Sequence, residues 1–288
     1  MFLVAFYSGK CQDSTKKWDA SAELNFSTVP SIHFSGSDTT SKNALFIAPS
    51  FSIRSEGGLG IIYSPYFITS GSRPGIFMHQ VTVGLEQYGK KNYVLVADYS
   101  HFFFTGNNSI PTTPITNEII LSGTYKKLWL SPRFSTGIGF GTNKETSNPT
   151  SAYDIELAGG ITHYFDWKNE NDFSFNVTPS VLLNAGTNEY FSFLKLSKYI
   201  SASNNYKNFI KNPHATNKGR GNAGRTATTT TTSPTPVAQT ISINNIEVNL
   251  ESTIEHGSFS IRPAASVYLP LSSTEISGYW ELNLSYYF

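Results

Sequence analysis

Residues 246–269 read IEVNLESTIEHGSFSIRPAASVYL, and in this stretch apolar residues recur at every second position on both sides of a short polar break. Ile246, Val248 and Leu250 alternate with polar residues before the break EHGS, and the alternation resumes from Ile261. Because successive side chains of a β-strand point to opposite faces, this spacing predicts two half-apolar strands joined by a tight turn. The β-strand is therefore the unit from which the fold is built.

The same alternation continues along the chain from Ala22 onward and defines twelve segments whose connections alternate in length. The tight connections are SEGG, YGKK, KKLW, DWKNEND and EHGS, whereas the others are looser, up to the stretch from about Gly186 to Thr240. Transmembrane barrels with both termini in the periplasm have short inner turns and long outer loops, and a soluble sandwich has no reason to alternate in this way. We predict an all-β fold, a closed, antiparallel, up-and-down transmembrane β-barrel of about 12 strands with short periplasmic turns and long extracellular loops.

The composition excludes several other classes of protein. The 288 residues include 21 Lys and Arg against 20 Asp and Glu, a net charge of +1, which argues against a nucleic-acid binder that neutralises phosphates. The sequence lacks the roughly 18 consecutive apolar residues of a membrane-spanning helix. The single cysteine, Cys11, excludes a disulfide scaffold.

The start of the chain predicts a targeting segment ahead of the barrel. The first nine residues, MFLVAFYSG, form a short apolar run and are followed by GKCQDS. We interpret residues 1–12 as the remnant of a secretory signal peptide with a truncated start; a buried first strand is the alternative. Residues 13–288 are then a single outer-membrane β-barrel domain, in which residues 187–240 form a long, basic, Thr/Pro-rich extracellular loop.

Two further segments resemble known barrels. The chain ends in WELNLSYYF, residues 280–288, which resembles the C-terminal strand signal of Gram-negative outer-membrane barrels. NVTPSVLLNAG, residues 176–186, followed by a long basic loop, is similar to a group of uncharacterised porin-like barrels. The resemblance implies a place in the cell outer membrane, contact with its lipid, and recognition of Tyr286 and Phe288 by the barrel assembly machinery. The resemblance includes no catalytic motif, and no nucleic-acid partner is expected.

The polar face of the predicted strands holds nearly all of their charges. A charge at the lipid midplane costs ~2–4 kcal/mol, so these side chains are expected to face an aqueous lumen. The predicted lumen-facing charges are Glu23, Arg54, Glu86, Asp98, Glu118, Lys126, Arg133, Asp154, Glu156, Glu247, Glu251, Arg262 and Glu281. Strand direction places the basic members toward the periplasmic end and most acidic members toward the outer mouth.

The long loop has the opposite charge. Residues 187–237 include seven basic residues and one acidic residue, Glu189, which gives this stretch a net charge of +6. We hypothesise that its first half folds over or into the acidic mouth as a plug, because opposite charges attract strongly in a restricted lumen. The plug candidates are Lys195, Lys198, Lys207 and Lys211. The alternative is a solvated loop that contacts anionic surface lipids.

The predicted function is a narrow porin-like channel for ions or small solutes, because twelve strands lie between filled eight-stranded barrels and open sixteen-stranded ones. The alternative is a structural or interaction barrel with a closed lumen, whose loops bind a partner or a polysaccharide. No cofactor is expected. The paired acids Asp154 and Glu156 share a face and are a weak cation site at most, so no metal site is predicted.

A membrane-embedded hydrolase is the third possibility. His79 and His101 lie on adjacent strands near the outer rim, which resembles the placement of the catalytic histidine in twelve-stranded outer-membrane phospholipases. The His-x-Ser-Asn-Gly pattern of that family is absent, and Ser100 has inward parity. A nucleophile and its base must share a face, so no catalytic residue is predicted.

Deleting residues 204–236 tests the plug. We expect single-channel conductance in planar bilayers to rise, because the deletion removes five basic residues and shortens the loop. An unchanged conductance contradicts the plug.

Overall fold

The computed structural model describes residues 18–29, 44–69, 75–87, 92–105, 115–143, 150–168, 173–187, 241–271 and 277–288. Within these ranges the chain forms thirteen β-strands. They are β1 (Trp18–Val29), β2 (Ala44–Ser55), β3 (Leu59–Ile68), β4 (Gly75–Gln87), β5 (Tyr93–Phe104), β6 (Ile115–Tyr125), β7 (Ser131–Asn143), β8 (Thr150–Thr162), β9 (Phe165–Lys168), β10 (Phe173–Gly186), β11 (Ser242–His256), β12 (Phe259–Pro270) and β13 (Ser277–Tyr287). The predicted leader, residues 1–12, lies outside the described residues.

The strands form one antiparallel sheet that closes on itself. β13 pairs with β1, with Leu284 opposite Leu24, so the last strand meets the first. β8 and β9 both pair with β10 and are two parts of one barrel strand, interrupted at His163 and Tyr164. The barrel therefore has twelve strands, which confirms the predicted fold class.

Tight turns join the strands at one end of the barrel, which is the periplasmic end. In the turn between β2 and β3, Gly58 has a φ of 95° and its N–H donates to the carbonyl of Ser55 at 2.9 Å. Gly257, between β11 and β12, has a φ of 59°. Glycine adopts positive φ without steric cost, so SEGG and EHGS form the tight turns that the sequence predicted.

Two strand bounds differ from the predicted pattern. β1 begins at Trp18, ahead of Ala22, and Trp18 pairs with Ser55 of β2. Asp166–Lys168, predicted as part of the turn DWKNEND, belong to β9. The physical reason is aromatic stacking on the outer face, because the ring of Trp167 lies 5.4 Å from that of Phe175 on the neighbouring β10. Such cross-strand pairs stabilise a sheet.

The outer and inner faces of the barrel differ in polarity. Phe51 and Leu250 on the outer face are 58% and 53% exposed, whereas the adjacent Ser50 and Asn249 on the inner face are each 2% exposed. Acyl chains cover such an apolar exterior, and a closed sheet leaves no unpaired edge in lipid. Separately, no helix among the described residues is long and apolar enough to cross a membrane.

Aromatic residues cluster at the periplasmic rim of the outer face. The ring of His163 lies 4.5 Å from those of Trp129 and Phe165, and Phe165 stacks on Trp167 at 6.1 Å. Amphipathic rings at this height lie at the level of the lipid headgroups. The structure thus places Trp129, Phe165 and Trp167 in a rim belt.

Phe102 lies near the outer end of β5 but does not join the aromatic residues of the outer face. Phe103 is 51% exposed and Phe102 only 2%. The alternation of strand side chains sends the two rings to opposite faces. Phe102 therefore belongs to the inner wall.

A charge on the outer face tests the assignment of that face to lipid. Leu250 lies near the middle of β11, so we expect Leu250→Arg to lower the free energy of unfolding in vesicles by ~2–4 kcal/mol. Leu128→Arg, in the exposed turn after β6, is the matched control and should cost ~0–1 kcal/mol. Denaturant titration of folding into vesicles measures both values; equal costs contradict the lipid belt.

Candidate functional site in the barrel lumen

The inner face of the barrel carries a large excess of negative charge. Among the described residues, ten carboxylates and three arginines are buried there, a formal balance of −7. They are Glu23, Arg54, Glu86, Asp98, Glu118, Arg133, Asp154, Glu156, Glu247, Glu251, Glu255, Arg262 and Glu281, and none is more than 8% exposed.

Two residues differ from the predicted set of lumen charges. Lys126 lies in the turn after β6 and is half-buried, so it belongs to the periplasmic rim and not to the inner wall. Burial lowers the pKa of its ammonium group below the usual value. Glu255, 4% exposed, is an additional inner-wall carboxylate. Its spacing from Glu247 and Glu251 was the available signal, since all three have the same strand parity.

The periplasmic half of the lumen is mixed in charge, not basic as the strand directions suggested. Arg54 Nη2 lies 3.0 Å from Glu86 Oε1, and their side chains are 3% and 0% exposed. Arg262 Nε lies 3.9 Å from Glu251 Oε1. Each of these two arginines thus has a carboxylate beside it, and the acidic excess extends along the whole height of the wall.

Glycines make room for the ion pair between Arg54 and Glu86. The pair spans β3, and a Cβ on Gly60 of that strand would lie 3.1 Å from Cβ and Cγ of Arg54. Arg54 Nη1 also donates to the carbonyl of Gly58 at 2.9 Å. The SEGGLG sequence therefore forms a tight turn and also leaves space on β3 for the Arg54 side chain to reach Glu86.

A hydrogen-bonded network lines the wall between β3 and β5. Tyr66 donates its hydroxyl to Gln80 Oε1 at 2.5 Å, and Gln80 Nε2 donates to Thr82 Oγ1 at 2.9 Å and to Ser100 Oγ at 3.0 Å. All four residues are at most 2% exposed. Such satisfied networks fix side-chain positions, so this part of the wall is rigid.

Apolar side chains interrupt the polar wall near the outer end of the lumen. Phe46, Tyr66, Phe77 and Phe102 are each at most 2% exposed and belong to one cluster. None of the four was predicted to face the lumen. For Phe46 and Phe102 the signal was present, because their strand parity is that of Ser50 and of Ser100 on the inner face.

The histidines of the outer face do not form a hydrolytic site with Ser100. His101 Nδ1 is hydrogen bonded to Asn117 Oδ1 at 2.7 Å, and His79 Nδ1 to the hydroxyl of Tyr63 at 2.7 Å. Ser100 is 1% exposed and lies on the opposite face, inside the lumen. Within the described ranges no group of three or more His, Cys, Asp or Glu residues is placed to hold a metal ion.

The predicted assembly signal lies on the outer face at the periplasmic rim. The rings of Tyr286 and Phe288 lie 5.0 Å apart, and the side chains are 38% and 45% exposed. Recognition by the assembly machinery remains a prediction. The plug candidates Lys195, Lys198, Lys207 and Lys211 lie outside the described residues.

No protein-family model matches the chain, and no curated protein matches it. Among solved structures it is similar to a NanC porin, with 8% identity, a TM-score of 0.44 and coverage of 93% of this chain and 98% of that one. It is similar to a bacterial polysaccharide outer membrane secretin, with 11% identity, a TM-score of 0.37 and coverage of 93% and 98%. A third similar structure is OccAB3 of Acinetobacter baumannii, with 10% identity, a TM-score of 0.27 and coverage of 94% and 99%.

These TM-scores are below 0.5, so the similarities do not assign the class of protein. The class follows from the geometry of the chain itself. The sheet is closed and antiparallel, its outer face is apolar and its inner face is polar and charged. Those are the properties of an outer-membrane β-barrel. The protein is an outer-membrane β-barrel of twelve strands.

Neutralising one member of the buried ion pair should destabilise the barrel. Glu86→Gln keeps the side-chain volume but removes the charge beside Arg54, which should lower the free energy of unfolding by about 3–5 kcal/mol. Heat-modifiable migration on detergent gels measures the loss as a lower unfolding temperature. The double variant Arg54→Met, Glu86→Leu is the control and should recover most of it; a single variant as stable as wild type contradicts the role of the pair.

Proposed function

We propose that the barrel is a narrow porin-like channel that conducts small cations in preference to anions. The observation that carries this proposal is the excess of ten carboxylates over three arginines on the inner wall of the described residues. Rings of carboxylates select cations in other pores. The proposed porin-like role for ions or small solutes therefore includes a preference for positively charged ones.

The carboxylates follow the whole path that a cation would take. Asp154 and Glu247 lie near the outer ends of β8 and β11, while Glu255 lies next to the last residue of β11 at the periplasmic end. Unscreened charges in a low-dielectric tube attract counter-ions more strongly than charges on an open surface. Twelve strands keep the tube narrow, so a passing ion remains close to the wall.

The basic loop is part of the same proposal. Its net charge of +6 is opposite to that of the inner wall, which supports the hypothesis that it acts as a plug at the outer mouth. This support is electrostatic, because Lys195 and the other plug candidates lie outside the described residues. A plug of this kind weakens as salt screens the attraction.

A closed structural or interaction barrel is the second candidate. The observation that favours it is the low exposure of the inner wall, where Asn184 donates to Asn245 at 2.8 Å and both are at most 1% exposed. Inward side chains that hydrogen bond to one another fill small barrels. In this case the outer loops carry the function, by binding a partner or a polysaccharide.

Planar-bilayer recording of the purified full-length protein separates the two candidates. A channel gives discrete conductance steps, and under a KCl gradient its reversal potential has the sign of cation selectivity. We expect the triple variant Glu118→Gln, Asp154→Asn, Glu247→Gln to shift this potential toward zero, because three carboxylates leave the outer half of the wall.

The matched control neutralises a carboxylate outside the lumen. Glu56 lies in the exposed turn after β2, and Glu56→Gln should leave the reversal potential unchanged. A folded barrel that stays silent in bilayers refutes the channel and favours the structural barrel. An anion-selective channel refutes the proposed role of the carboxylates.

A further inference from the structure

An aromatic cluster lies inside the barrel, on a wall that is otherwise polar. Its largest members are Phe46, Tyr66, Phe77 and Phe102, which come from the neighbouring strands β2 to β5 and are at most 2% exposed. The ring centroids of Phe46 and Phe77 lie 5.4 Å apart, and those of Tyr66 and Phe77 lie 6.0 Å apart, both pairs in edge-to-face geometry. Phe77 is therefore the central ring of the cluster.

The members of this cluster lie at one height in the lumen. Phe46 is the third residue of β2, Phe77 the third of β4, and Tyr66 and Phe102 lie two residues before the ends of β3 and β5. At a rise of about 3.3 Å per residue, each ring is attached roughly 7 Å below the outer end of its strand. Together the rings form an apolar arc just inside the outer mouth.

A β-bulge puts Phe77 into the lumen. Tyr66 pairs with Met78 and Phe67 pairs with Ile76, so Phe77 is the extra residue of β4 at this irregularity. As a result, the consecutive residues Phe77 and Met78 are both buried, at 2% and 1% exposure. Without the bulge, strict alternation from Val81 would send Phe77 outward. Bulges re-aim side chains and are frequent next to functional sites.

The wall returns to polar side chains directly below the rings. The hydroxyl of Tyr66 faces Gln80, whose amide is held by Thr82 and Ser100. The hydroxyl therefore marks the boundary between an apolar zone above and a hydrogen-bonding zone beneath. Phe77, which has no polar atom in its side chain, lies on the apolar side of this boundary.

We infer that Phe77 is the residue that limits permeation through this barrel, as the centre of an apolar constriction beneath the outer mouth. The inference rests on the proposed channel function and adds the position at which a permeating ion meets its highest energy barrier. Apolar rings offer an ion no replacement for its hydration shell, and hydrophobic constrictions restrict conduction by losing water. The carboxylates set which ions enter, and the rings set how fast they pass.

The test compares Phe77→Ala, Phe77→Leu and Phe103→Ala with the wild-type full-length protein in planar bilayers. Phe77→Ala removes the central ring and should raise single-channel conductance about two- to fivefold. Phe77→Leu keeps an apolar side chain of similar reach and should stay near the wild-type value. Phe103→Ala removes a ring from the outer face, one strand away, and should leave conductance unchanged. Cation selectivity should be the same in all four proteins.

Heat-modifiable migration shows which variants fold, and Phe46→Ala, which removes the partner ring, replaces Phe77→Ala if that variant does not. Wild-type conductance in a folded, cation-selective alanine variant overturns the constriction and leaves the channel standing. A folded wild type that stays silent overturns the channel itself, whatever the variants do.

Discussion

The structure depends on one constraint, that every backbone N–H and C=O inside a lipid bilayer must find a partner within the protein. An open sheet cannot meet it, because its two edge strands carry unpaired groups. Here β1 and β13 supply each other's missing partners, and the side chains of Asn25 and Asn283 add a hydrogen bond on the inner face of that junction. Once the sheet is closed, each strand has one face toward acyl chains and one toward the lumen.

That division of faces explains where the charges are and what they do. Burying ten carboxylates in a hydrocarbon-facing position is prohibitive, so all of them lie on the inner wall. Arg54 is matched by Glu86 and Arg262 by Glu251, which leaves a negative balance distributed along the tube. In the proposed channel the apolar arc around Phe77 adds a second property to the same wall, so that charge selection and resistance to flow would depend on different residues.

The sequence predicted the fold and most of the inner wall, because alternation has a physical cause that acts on every strand alike. The position of Arg54 beside Glu86 could be anticipated from parity and strand direction, and Glu255 follows the same parity although it was missed. Phe77 could not be placed, since a single extra residue in β4 reverses the parity locally and leaves no mark in the sequence pattern. β9 was missed for a different reason: its polar residues are typical of a turn, whereas the stacking of Trp167 on Phe175 and the hydrogen bond from Asn176 to Asp166 favour a strand.

The junction of β1 with β13 also governs how the molecule can be made. Its two halves are residues 21–27 and 281–287, which are separated by nearly the whole polypeptide. A ribosome delivers residues 281–287 after every strand from β1 to β12, so the ring cannot close until β13 has been made. Loss of β13 would leave β12 and β1 as two open edges at once, which makes this strand as necessary for completion as the first.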